Sequence, residues 1–489
     1  MSSTADAPRA PVPVVAGIDV ATAAVRVLCA DARGRVVAEG RAALPQPVRG
    51  AGGSSEQDAR SWWPATAAAL REATAKLPGG GREVIAVAVS ATSGTLVPTG
   101  PDGEPVGPAL MYDDRRAAAV NARAQELGEP RWRALGLSVG PTAALGRLVQ
   151  CVERALPGQL VLHTPELIGR RLTGHPVAVD WSHALKSGYD PRAGEWATEV
   201  LDALGVPSDL LPAVQAPATP AGSVSVSAAA ETGLPAGCQV RLGMTDGCAG
   251  QIATGAVEPG RFVGVLGTTY VLKGVTRELV TDPAGALYSH RHPDGYWLPG
   301  GASNTGGEAL AAVDPARLPG LDAAADARGP ASCLSYPLRR EGERFPFVSG
   351  DARGFSTGTP LDEADEHRAA LEGVAFLERL ALERVQELGV EVRGPLYTAG
   401  GGSRSALWTR VRATVLGRPL CVAERAETAF GAALLAAAGT LHPDLSASAA
   451  AMAGTGILVD PVEREQAALE ESYQRFVTEL STRGWLNTG

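Results

Sequence analysis

Two stretches far apart in the chain share one pattern, and that pattern constrains the fold more than any other feature. Val14 to Ala30 is an apolar, β-branched run broken by polar residues, with Asp19 and Thr22 in its first turn. Ala32-Arg33-Gly34-Arg35 then turns the chain into Val36-Val37, the signal of a β-meander. In the second half, Phe262-Val263-Gly264-Val265-Leu266 enters the turn Gly267-Thr268-Thr269 and leaves it as Tyr270-Val271-Leu272-Lys273. Two halves that each open on a hairpin with hydroxyls in its turn point to an old duplication, at an identity too low to register as a sequence repeat.

Between and beyond the hairpins, strands alternate with helices. Ser61 to Leu77 has helical spacing, and Glu83 to Ser90 is a buried strand that runs straight into Ala91-Thr92-Ser93-Gly94-Thr95. Later, Leu361 to Leu388 is a long amphipathic helix and Leu396 to Ala399 a short strand; Gly400-Gly401-Gly402-Ser403 is a flexible turn into a helix from Ser405 to Leu416. Pro212 to Gly237, rich in Pro, Ala, Ser and Gly, is loop-biased and suited to carry the chain towards a second lobe, which sets a boundary near 240 to 260. The expectation is an α/β chain divided into 12–250 and 251–489.

Composition narrows the partners. With 489 residues and 45% hydrophobic content the chain can bury a large core in at least two domains, while a net charge of −9 offers no positive field to nucleic acid or anionic membrane. Ala429 to Gly439 falls well short of the about 20 apolar residues that a membrane-spanning helix needs. Cys29, Cys151, Cys238, Cys248, Cys333 and Cys421 lie far apart with no Cys-x-x-Cys, which speaks against a disulfide framework or a cysteine zinc site and for the reducing cytoplasm. Met1 to Pro13 reads as a frayed tail and not a signal peptide. Lys186-Ser187 lacks the glycines of a P-loop.

Several short motifs carry chemistry. In a hairpin turn Asp19 can present its carboxylate to a hydrated magnesium ion, and Thr22 its hydroxyl to a phosphate, although both residue types are also ordinary turn formers. Gly267-Thr268-Thr269, in the matching place of the other half, strengthens that reading. Asp246 stands in Gly243-Met244-Thr245-Asp246-Gly247-Cys248-Ala249-Gly250, where a turn enters a small-residue helix. The position suits a helix cap, and the positive end of the helix also keeps a carboxylate ionised and able to accept a proton. Gly400-Gly401-Gly402, between a strand and a helix start, fits an anion or nucleotide site, although many triple glycines only start a helix after a strand. His290 and His292 have a spacing that could ligate a metal, but no third ligand is near, so surface or supporting histidines are the better reading. Tyr112-Asp113-Asp114-Arg115-Arg116 reads as a charged helix start with solvated ion pairs.

Taken together, these segments resemble the FGGY carbohydrate kinases, members of the sugar kinase, actin and heat-shock chaperone superfamily. Gly17-Ile18-Asp19-Val20-Ala21-Thr22 is similar to the family's first phosphate motif, with Ala21 in place of a glycine, and Leu266-Gly267-Thr268-Thr269 to its second. Tyr112-x-Asp114-x-Arg116 resembles Trp-x-Asp-x-Arg, Gly243 to Gly255 the segment with the catalytic aspartate, and Gly400 to Trp408 the adenosine motif. Within the family, Tyr288-Ser289-His290, Gly295 to Asn304, Thr92-Ser93-Gly94-Thr95 and Ala184-Leu185-Lys186 look most like the D-ribulose kinase branch, whose members are often labelled xylulokinases.

The resemblance implies two ribonuclease H-like lobes with a cleft between them, closing to exclude water, and ATP-dependent phosphorylation of a ketopentose, D-ribulose first. Asp246 would be the general base and contact the sugar, Ser93 would help hold the sugar, and Asp19 would hold Mg2+ through water. Thr22, Gly267, Thr268 and Thr269 would bind phosphates, with Gly401, Gly402, Ser405 and Trp408 at the adenosine. The implied partners are a small sugar and ATP, with no nucleic acid or membrane, in a monomer or homodimer. D-Xylulose, another sugar or a polyol stays open as substrate, as does a nucleotide-binding switch without kinase chemistry on the same fold.

Overall fold

The structure is a computed structural model that describes residues 12–153 and 160–486; most of the segment read as a frayed tail, residues 1–11, lies outside the described residues. Contacts divide the chain into two units. Residues up to 132, 138–253 and 427–454 form the first, and 133–137, 254–426 and those from 455 on form the second.

In the first unit β1 (Val14–Val20), β2 (Ala24–Asp31) and β3 (Val36–Ala43) make the expected antiparallel meander. After α1 (Trp62–Ala75), β4 (Val84–Ala91) returns parallel to β1. The chain then passes through the short helix α2 (Trp181–Ala184) before β5 (Gln239–Thr245) adds parallel to β4 and runs directly into α3 (Asp246–Ala253). Every residue of β1 is buried, as expected of a central strand covered on both faces.

Pro212 to Gly237 is built structure and not a linker. Pro220–Ser223 pairs with β5 as the sheet's far edge, and the Ser225 hydroxyl accepts from Ala228 N at 3.1 Å to start a helix over Val226–Thr232. The serine and alanines that give the segment its loop-like composition serve here as cap and helix body.

The second unit repeats the plan. β6 (Phe262–Leu266) and β7 (Tyr270–Gly274) form the second hairpin, and β8 (Trp297–Ala302) pairs antiparallel with β7. After α4 (Leu318–Arg328) and α5 (Glu363–Glu387), β9 (Leu396–Ala399) returns parallel to β6. α6 (Ala406–Leu416) then leads to β10 (Leu420–Val422), parallel to β9. The long helix begins where Asp362 accepts from Asp365 N at 2.9 Å; its apolar face packs against α6, and its Phe376 meets Phe476, which in turn meets Tyr336.

After β10 comes α7 (Thr428–Ala437), in which every residue from Ala429 to Ala437 is buried. The sequence-based division puts all of 251–489 in one lobe, whereas this helix packs in the first unit against β1 and α3. Glycine permits the contact. A Cβ on Gly17 of β1 would stand 1.9 Å from Ala429 O, and one on Gly431 would stand 1.9 Å from Ala249 O.

Candidate active site

In the first unit, two parallel strands and a hairpin bring acids to neighbouring ends. Asp19, next to last in β1, is buried; Arg26 Nη1 donates to its Oδ2 at 3.0 Å, and its Oδ1 has no partner among the described residues. Burial pushes the Asp19 pKa up to about 6, against the pull of Arg26, and the charge of Asp246 adds to the rise. Asp246 opens α3 directly after β5, and its Oδ1 accepts from Gly247 N at 2.6 Å. Thr22 is half-buried in the β1–β2 turn, closed by Ala21 N donating to Ala24 O at 3.1 Å. Ala21 is not among the described residues with positive φ, so its methyl is accommodated where the resemblance has glycine.

The loop after β4 holds Ser93. Thr92 and Thr95 hydroxyls bond across it at 3.0 Å, and Ser93 Oγ is buried without a partner among the described residues. Arg147, missed by sequence reasoning, organises this loop from a fully buried position: Nε donates to Gly94 O at 2.9 Å and Nη1 to Asp114 O at 3.2 Å and Thr142 O at 3.0 Å. Burial pushes its pKa down to about 10.

Two expectations need correction. Asp114 is no solvated cap; it is fully buried and accepts from Ser55 N at 2.8 Å and from Arg116 Nη2 at 2.6 Å. Burial works to raise its pKa, but the bonds from Arg116 and Ser55 prevail and hold it low. His290 and His292 are buried, which removes the surface reading and leaves the supporting one, and burial pushes His292 down to about 4. The local charge pattern and a two-residue spacing carry no information on what packs over them.

In the second unit the turn Gly267-Thr268-Thr269 is closed by Gly267 N donating to Thr269 O at 3.1 Å. A second loop braces it: Tyr270 N bonds to Thr305 O at 2.8 Å, Gly307 N to Gly267 O at 2.8 Å and Glu308 N to Thr268 O at 2.9 Å. Buried Glu343 holds that loop, accepting from Ser303 Oγ at 2.9 Å, Asn304 N at 2.6 Å, Thr305 Oγ1 at 3.0 Å, Tyr336 OH at 3.0 Å and Arg344 N at 2.9 Å. Its partners lie up to 40 residues away, so the sequence alone did not single it out.

A cavity of about 990 Å³ opens beside this turn, lined by Gly267, Thr268, Gly401, Gly402, Ser405 and Trp408 together with apolar residues such as Leu310 and Leu318. Thr269 is not part of its lining. Gly401 and Gly402 follow β9, which Arg412 anchors: Nη1 donates to Thr398 Oγ1 at 2.7 Å while Nη2 pairs with Glu378 of α5 at 2.7 Å. The Ser405 hydroxyl is engaged twice, accepting from Trp408 N at 3.0 Å as the cap of α6 and donating to Asp322 at 2.6 Å. Trp408 is 3% exposed and bonds through Nε1 to Leu371 O at 3.1 Å, so its ring belongs to the core as well as to the cavity wall. Asp322, another lining residue, is pushed up by burial but held below the usual carboxylate range by His367 and Ser405.

The donor set suits a hydrated cation in one place. The buried, unpartnered Oδ1 of Asp19, with its raised pKa, is relieved by a nearby positive charge. Among the described residues no three His, Cys, Asp or Glu side chains gather to hold a metal on their own, and no helix is long and apolar enough to cross a membrane. The six cysteines are free and buried.

Residues 14–253 match the N-terminal domain, and 262–440 the C-terminal domain, of the FGGY family of carbohydrate kinases. A xylulose kinase of Streptomyces rubiginosus is 31% identical over 475 residues, covering 94% of this chain and 95% of that protein. An erythritol kinase of Brucella abortus is 29% identical, with 87% of each covered. The crystal structure of a xylulose kinase from Rhodospirillum rubrum superposes with a TM-score of 0.84 at 26% identity, over 96% of this chain and 98% of that one.

Proposed function

Because the chain belongs to the FGGY family of carbohydrate kinases, we propose that it transfers the γ-phosphoryl group of ATP to the terminal hydroxyl of a ketopentose in the cytoplasm, with D-ribulose the preferred substrate and Asp246 the general base. The observation that carries the reading is the pairing of Asp246, at the end of β5, with Asp19, at the end of β1, close enough that the charge of one raises the pKa of the other. A sugar hydroxyl is a weak nucleophile, and a carboxylate in hydrogen-bond reach takes its proton as the oxygen–phosphorus bond forms and ADP departs. Most of the remaining catalysis is positioning and charge stabilisation.

Asp19 would hold Mg2+ through water, and the ion would supply neutralisation of phosphate charge. In the first unit Thr22, and in the second Thr268 and Thr269, would offer hydroxyls and N–H groups to phosphate, while Gly267, whose N–H closes the turn, would let phosphate approach the backbone. The cavity beside Gly401 and Gly402, with an apolar wall and Asp322, suits an adenosine; Ser405 and Trp408 shape it through α6 more than through free polar atoms. Ser93, with a buried hydroxyl that has no partner among the described residues, suits a hydrogen bond to the sugar.

The relatives named xylulose kinase support D-xylulose as the second reading. The two separate in the ratio of kcat/KM values. D-Ribulose is expected to exceed D-xylulose by roughly tenfold or more, since each buried polar group left unpaired by an epimer costs about 1 to 3 kcal/mol. Ser93→Ala should lower activity with D-ribulose and shrink that ratio while KM for ATP stays put. A ratio below one for the unmodified protein overturns the choice of sugar and leaves the kinase activity standing.

A further inference from the structure

Two imidazole–carboxylate pairs lie buried in the first unit, and the chemistry above uses neither. His163 Nδ1 is 2.6 Å from Glu166 Oε2 and its Nε2 is 2.9 Å from Ser187 Oγ, so both ring nitrogens are satisfied. His183, on α2, has its Nδ1 2.5 Å from Asp180 Oδ2, but its Nε2 is buried with no partner among the described residues. The rings meet edge to face with centroids 5.9 Å apart.

α2 is tied to the strand end that bears Asp246. Asp180 Oδ1 accepts from Ser182 N at 2.9 Å, Ser182 Oγ at 2.5 Å and His183 N at 3.1 Å. Ser182 Oγ in turn accepts from Thr245 N at 3.0 Å, one residue before Asp246. On the elements packed about His183, the titratable and charged groups are His163, Glu166, Lys186, Arg241 and Asp246, besides Asp180 itself. Burial works to discharge His183, yet the charge of Asp180, joined by those of Asp246 and Glu166, raises its pKa above the ordinary value. Glu166 is already engaged by His163, through the ring and through the backbone N at 2.9 Å.

We infer that His183, oriented by Asp180, is a positioning residue of the reaction: an imidazolium whose charge holds Asp246 in the ionised form that accepts the sugar proton. The inference rests on the reading of Asp246 as the base. A cation with one N–H unpaired projects its field further than one quenched on both sides. Removing that cation leaves the charge of Asp180 uncompensated at Asp246 and favours protonation of Asp246.

The test is the pH dependence of kcat/KM for the sugar in the full chain. His183→Asn keeps an N–H for Asp180 and discards the charge, so the acid limb should move up by about one pH unit, a loss of roughly tenfold on that limb that fades at alkaline pH, with KM for ATP unchanged. An unmoved limb, whether activity is full or uniformly reduced, overturns the inference. A second measurement avoids any folding defect at position 183. In histidine-labelled protein followed by NMR, Asp246→Asn should shift one histidine's titration to lower pH relative to wild type; if no histidine moves, the inference fails. Should Asp246→Asn keep near wild-type turnover, it is the base assignment that falls instead.

Discussion

The two sheets have one plan and different ends. In each, a hairpin lies next to a parallel strand, with a further parallel strand beyond: β3-β2-β1-β4-β5 in the first unit and β8-β7-β6-β9-β10 in the second. In the first unit the strand ends carry acids, Asp19 and Asp246, one of them buried and hard to ionise. In the second the corresponding hairpin turn is glycine and hydroxyls, locked from outside by Glu343, and the next strand ends in glycines beside a large cavity. On the proposed function the same backbone would serve proton and cation chemistry in one unit and nucleotide binding in the other, with the division lying in the turns. Ligand sites at strand ends are the rule for open α/β sheets.

The contrast breaks most visibly at Asp246. Asp246→Asn should cut turnover by about 100-fold or more while ATP binding survives, since shape is kept and only the proton acceptor is lost. Steady-state kinetics beside nucleotide titration calorimetry decides it; a parallel loss of ATP affinity would erase the distinction between the units.

A smaller effect is expected in the second unit. Glu343→Gln puts an amide where five donors converge, so the loop 303–308 and the turn it braces should loosen. KM for ATP should rise about tenfold and the melting temperature fall, with KM for the sugar little changed. Equal increases in both constants would assign Glu343 to general stability.

Asp19 gives the subtlest comparison. Its folded pKa of about 6 lies above the ordinary 3.8, so the folded state takes up the extra proton and ionisation of Asp19 costs stability. That cost is absent below about pH 4, grows as pH rises to about 6, and is complete above it. Asp19→Asn should therefore stabilise the protein by roughly 2 to 3 kcal/mol at pH 8 and not at pH 4, while raising the magnesium requirement. Melting curves at the two pH values check the sign; an equal shift at both would contradict the raised pKa.

Much of the fold was legible because periodicity is local. The two hairpins, the strand ending at Ala399 and the helix over Glu363–Glu387 follow from alternation and helical spacing within single segments. The seat of α7 was not, since an alanine-rich run fits many surfaces and only the pair Gly17 and Gly431 marks the one it packs on. Of the candidate site, the motif residues could be named, but their supports could not. Arg147 reaches Gly94 across 53 residues and Glu343 reaches Ser303 across 40, separations that leave no mark on local composition. His183 stands three residues after Asp180, a spacing visible in the sequence; what raises it above a turn is burial beside β5, which spacing alone does not report.

The central claim is that this chain spends ATP on a sugar. ADP release measured with magnesium and a panel of ketopentoses, aldoses, polyols and glycerol tests it directly. A large stimulation by ketopentoses, greatest in kcat/KM for D-ribulose, is the predicted result, and ADP release unchanged by any sugar or polyol would contradict it and favour a nucleotide switch.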